Sequence, residues 1–117
     1  MYEYYNANAR GNFVDDCVIR AISVAEHNTW DYTYNKLSDL AQAQGRMIDD
    51  AIFVRNYLDK HYKRIPVNNI SVGELASEYF DKVLLITMIG HITCSLNGVI
   101  IDSFDCRNRK VEYAWIV

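Results

Sequence analysis

Three residues in this chain have the types and the spacing for covalent chemistry: Cys17, His91 and Asp102. Cys17 stands in Asp15-Asp16-Cys17-Val18-Ile19-Arg20-Ala21-Ile22, where an irregular segment turns into a helical pattern. A thiol at a helix start faces exposed backbone N–H groups and the positive end of the dipole. Both favour the thiolate, which is the nucleophilic form. Asp15 and Asp16 oppose this, so their side chains must point away or be paired, and Arg20 lies one helical turn on. His91 opens Gly90-His91-Ile92-Thr93-Cys94-Ser95-Leu96, and Asn97-Gly98 follows, the strongest short hairpin signal. A two-residue turn there sets Leu96 against Val99 and Thr93 against Asp102. Strand side chains alternate, so His91 and Thr93 share a face, with Asp102 one diagonal step from His91. Such diagonal neighbours lie ~7–8 Å apart, within reach of polar side chains. A carboxylate so placed fixes the tautomer and orientation of an imidazole. The chemistry this suggests is nucleophilic attack by Cys17, with His91 as base and Asp102 as its orienting partner.

These residues need a helix start and two paired strands to hold them. Residues 1–14 read as irregular, with Asn6, Asn8, Gly11 and Asn12 as turn formers. From Asp15 the apolar positions Val18, Ala21, Ile22 and Ala25 follow helical spacing. A second helix starts at Asn28 or Thr29 and ends at Gly45. A third spans Asp49–Tyr62, and Ser71-Val72-Gly73-Glu74 is a capping box that opens a short fourth. The character then changes. Lys82–Met88 reads as a buried strand, Gly90–Leu96 and Val99–Phe104 as a hairpin, and Val111–Val117 as a last strand. The expected fold class is α+β: N-terminal helices packed on a C-terminal antiparallel sheet, in one domain over 1–117.

Composition narrows the function classes. A net charge of −3 gives no electrostatic case for nucleic acid. No run approaches the ~20 apolar residues of a membrane helix, and the N-terminus lacks a signal-peptide pattern. Three cysteines, an odd number, do not make a disulfide scaffold and suggest a reducing, cytoplasmic setting. Cys17, His91, Cys94 and Cys106 are ligand types that zinc accepts, but there is no paired Cys-x-x-Cys. Cys94 is also expected on the face opposite His91, and Cys106 beyond the hairpin end. The expectation is therefore no metal, no cofactor and no Cys94–Cys106 disulfide. The nine tyrosines read as packing and interface surface.

The order Cys, His, Asp resembles the papain-like cysteine peptidase superfamily. More closely, Asp16-Cys17-Val18-Ile19-Arg20-Ala21-Ile22, Gly90-His91-Ile92-Thr93 and Gly98-Val99-Ile100-Ile101-Asp102-Ser103-Phe104-Asp105 resemble small bacterial and phage papain-fold proteins. The resemblance covers roughly a third of the chain. It implies a cysteine protease or amidase-type hydrolase with a Cys17–His91–Asp102 catalytic triad and a peptide or protein substrate. It also implies an oxyanion hole made by the Cys17 N–H and an upstream side-chain amide. No glutamine precedes Cys17, which leaves Asn12 or Asn8. The rival expectation is a papain-fold binding protein of weak or no activity, such as a phage-encoded inhibitor whose partner is a host protein.

Overall fold

The computed structural model describes all residues, 1–117. In chain order the elements are β1 (Tyr2–Tyr4), α1 (Cys17–Glu26), α2 (Trp30–Gln44), α3 (Ala51–His61), β2 (Lys63–Ile65), α4 (Val72–Glu78), β3 (Val83–Met88), β4 (His91–Leu96), β5 (Val99–Asp102) and β6 (Tyr113–Ile116). The α+β class is as the sequence suggests. The sheet is not purely antiparallel, however. Its six strands run β1-β5-β4-β3-β6-β2, and β1 pairs parallel with β5 through Tyr2 and Ile100. β1 falls in the segment expected to be irregular, and β2 follows directly on α3. Both are three-residue edge strands, too short to carry a period of their own, and pairing with a neighbour defines them.

Local sequence explains the element ends. The Thr29 hydroxyl accepts the Tyr32 N–H at 3.1 Å and caps α2, and Gly45 closes that helix at φ +67°. The Asp50 carboxylate caps α3 through the Ile52 N–H at 2.8 Å. Ser71 and Glu74 exchange both bonds of the capping box on α4. Asn97 and Gly98 take φ +50° and +84°, the left-handed pair that a tight two-residue hairpin requires. Leu96 accordingly faces Val99 and Cys94 faces Ile101.

The sheet separates two apolar layers. On one side Ile22, Leu37, Phe53 and Leu58 of α1, α2 and α3 meet Leu85, Ile92, Cys94 and Trp115. On the other Val72, Leu75 and Ala76 of α4 meet Leu84, Ile86, Ile100 and Ala114, with Cys106 from the loop after β5. Burying each large apolar side chain contributes roughly 1.5–3 kcal/mol. A polar hub pins the helical layer. Glu26, at the end of α1, accepts bonds from Lys36 Nζ (2.6 Å), the Tyr57 hydroxyl (2.8 Å) and the Tyr62 hydroxyl. α1 is thereby anchored at its C-terminal end, and its N-terminal end lies over the sheet where β4 begins and β5 finishes.

Candidate active site

His91 is the first residue of β4 and Asp102 the last of β5, so both stand at one end of the sheet. His91 Nε2 and Asp102 Oδ2 are 2.7 Å apart, and their side chains are only 6% and 4% exposed. The diagonal reach expected from the hairpin register is thus realised. Asp102 Oδ1 accepts the Ser103 N–H at 2.7 Å. The Phe104 ring covers His91 with centroids 4.6 Å apart. Burial alone raises the Asp102 carboxyl, but hydrogen bonding to His91 and Thr93, the charge of His91 and the Ser103 N–H overcome it and hold the group below the usual carboxylate range. Burial likewise works against the charged imidazole. The Asp102 hydrogen bond, with the nearby Cys106 and Cys17 thiols, prevails and pushes His91 up to about 11. This balance favours the imidazolium, with Nε2 held against the Asp102 carboxylate.

Cys17 is the first residue of α1 and is half-buried. Cys17 and His91 line one cavity of about 810 Å³, and the thiol is among the groups that raise the His91 ring. The acids beside Cys17 are dealt with separately. Asp15 is exposed. Asp16 is 4% exposed, and its carboxylate accepts from Arg20 and, at 2.9 Å, from Trp30 Nε1. Because Asp16 turns to these partners, its side chain makes no capping bond on α1. The N–H groups of Cys17 and Val18 consequently donate to no protein acceptor, and both residues line the cavity.

Arg20 has a second contact that the sequence does not reveal. Its Nη2 lies 3.6 Å from Asp102 Oδ1, while Nη1 holds Asp16. One buried guanidinium thus joins the helix that bears Cys17 to the carboxylate that orients His91. Asn12 and Asn8, the amides expected to hold an oxyanion, are placed otherwise. Neither lines the cavity. Asn12 is exposed and its carbonyl accepts from Asn6, while Asn8 is buried with its side-chain oxygen on the Arg10 N–H at 3.0 Å.

Two further features have no sequence signal. The cavity rim carries exposed apolar side chains, with Phe13 74% and Ile89 82% exposed, beside Phe104 and Val14. Arg55, Arg109, Asp49 and Glu112 supply mixed charge on its far wall. Exposed apolar residues on loops follow no period, so only the fold gathers them. The second is Cys106, expected beyond the reach of the hairpin. The loop after β5 folds back, and the Cys106 Sγ lies 3.8 Å from Asp102 Oδ2. Cys94, by contrast, is on the helical side of the sheet, where burial pushes its thiol up to about 12. No protein-family model, characterised protein or solved structure matches the chain.

Proposed function

We propose that this chain is a papain-like thiol hydrolase acting on amide or peptide bonds. The observation that carries the reading is the sharing of one cavity by Cys17, at a helix start, and an imidazolium whose other nitrogen is bound to a buried carboxylate. The Cys17 thiolate attacks the carbonyl carbon and a C–S bond forms. The oxyanion that develops is taken by the free N–H groups of Cys17 and Val18, a role worth ~2.7–4 kcal/mol per donor in acyl transfer. His91 passes its Nδ1 proton to the leaving amine as the C–N bond breaks. Nδ1 then takes a proton from water, whose oxygen cleaves the thioester and restores the thiolate. Asp102 keeps the Nε2 proton in place throughout. The apolar rim of Phe13, Ile89 and Phe104 supports a peptide or protein substrate with an apolar side chain near the scissile bond.

The test is alkylation of Cys17 by iodoacetamide at pH 6, with His91→Ala and Cys17→Ala as controls. Reaction faster than that of a free cysteine, lost in His91→Ala, supports the ion-paired nucleophile. An ordinary, His91-independent rate overturns it. A second reading has its own support: no side-chain amide lines the cavity beside the thiol. On that reading the same cavity docks a host protein segment without chemistry, and Cys17→Ala leaves binding intact.

A further inference from the structure

Cys106 has no part in the hydrolytic scheme, yet its thiol lies against the His91–Asp102 pair. We infer that His91 Nε2, Asp102 Oδ2 and Cys106 Sγ form a site for a zinc-class divalent cation. The three donor atoms lie within 4.8 Å of one another, with Nε2 to Oδ2 at 2.7 Å and Sγ to Oδ2 at 3.8 Å. Imidazole, carboxylate and thiolate are the donors that zinc takes in tetrahedral sites, at ~2.0–2.3 Å from the metal. A small outward shift of Nε2 from Oδ2 opens the centre of that triangle. Three positions separated in sequence converge here, from the start of β4, the end of β5 and the loop beyond it. All three side chains are buried, unlike the exposed acidic groups that gather by chance.

The charge balance permits the exchange. The buried groups facing the site are Arg20 and Asp16, which pair with each other, together with Asp102 and the charged His91. The exposed Asp105 is turned to Arg107. Metals bind imidazole and thiol in their deprotonated forms, so the ion enters as protons leave and its added charge is offset. The metal on Nε2 leaves the remaining ring proton fixed on Nδ1. His91 then accepts no proton from water, and the thioester is not hydrolysed. This inhibitory consequence rests on the proposed hydrolase reading; the binding itself does not.

The experiment is Co²⁺ and Zn²⁺ binding to the full chain, to Cys106→Ser and to Cys17→Ser, each first checked for folding by circular dichroism. Expected are one ion per chain and a thiolate-to-Co²⁺ charge-transfer band. Both should survive in Cys17→Ser, and affinity should weaken at least tenfold in Cys106→Ser. X-ray absorption on zinc-loaded Cys17→Ser, which needs no substitution in the site, should show one sulfur and one imidazole. Binding that vanishes in Cys17→Ser and survives in Cys106→Ser places the ion between Cys17 and His91 and overturns the site. An all-oxygen-and-nitrogen shell, or no saturable binding, overturns it equally. A slow, His91-independent alkylation of Cys17 would remove the hydrolase reading and leave this one standing.

Discussion

Replacing Arg20 by glutamine is the sharpest structural test of the site. The guanidinium is 12% exposed and faces Asp16 and Asp102, whose side chains are 3% and 4% exposed. Without it, Asp102 retains His91 and the Ser103 N–H, but Asp16 retains only Trp30 Nε1. Removing one partner of a buried ion pair costs about 3–5 kcal/mol, because the remaining charge stays buried without compensation. The surviving Trp30 bond argues for the lower end, about 3 kcal/mol. That is a large fraction of the ~5–15 kcal/mol that holds a domain of this size. At ~4 °C per kcal/mol the melting temperature should fall by about 12 °C. Urea unfolding followed by tryptophan fluorescence reads the change directly, since Trp30 is bonded to Asp16. Arg10→Gln is the internal control. Its pair with Asp31 is more than half exposed on both sides and screened by solvent, so the urea midpoint should barely move. Adding Asp16→Asn to Arg20→Gln removes the stranded charge and should recover at least ~1 kcal/mol. A loss for Arg20→Gln no greater than that for Arg10→Gln, with no recovery in the double variant, would refute the bridge between α1 and β5.

Three other predictions follow from the same contacts. Asp102→Asn keeps a side chain for the Ser103 N–H but removes the charge that holds His91 protonated. Cys17 alkylation at pH 6 should fall by about 10²-fold, and an unchanged rate would remove Asp102 from the site. Glu26 is held below the usual carboxylate range, since bonds from Lys36, Tyr62 and Tyr57 outweigh its burial. Its stabilising contribution is therefore complete above its unfolded value of ~4.3, and is lost as pH falls through the lower folded value. Glu26→Gln should cost about 2 kcal/mol at pH 7, with the difference from wild type shrinking in acid, and parallel urea midpoints from pH 7 to 3 would contradict this. Finally, a thiol reagent applied to the native protein should label Cys17 alone. Cys94 is fully buried with its thiol pushed up to about 12, and Cys106 is 1% exposed. Mass spectrometry of the labelled peptides checks this, and rapid native labelling of Cys94 would contradict the packing.

Two kinds of information are present in the sequence to very different degrees. Residues that act through local geometry can be read from it. Asn97-Gly98 fixes a hairpin register, and the register carries His91 and Asp102 to one face, which is why their contact is foreseeable from counting alone. Asp16 and Arg20 are one helical turn apart, so their pairing is equally foreseeable. β1, the mixed sheet and Cys106 are not, because each depends on where a loop returns. The segment 5–16 brings β1 beside β5, and the loop after β5 turns Cys106 back beneath Asp102. No period in either loop encodes that path.

The same distinction bears on how the site works. His91, Asp102 and Arg20 form a rigid, buried unit whose members are held on regular elements at both ends of the contact. Cys17 joins that unit through the helix that Arg20 tethers and through the cavity it shares with the ring. Around it the rim is made of loops, with Phe13 and Ile89 largely open to solvent and Phe104 partly so. Orientation of the base is thus built into the fold, whereas shielding of the nucleophile from water is left to whatever fills the cavity. An apolar side chain that covers the rim would exclude water and strengthen the thiolate–imidazolium pair. Reactivity of Cys17 should therefore be greater toward an electrophile carrying an apolar peptide than toward iodoacetamide. The two reagents compared on wild type and on Phe13→Ser measure this coupling: if the peptide's advantage survives the loss of the Phe13 ring, the rim plays no part in assembling the site.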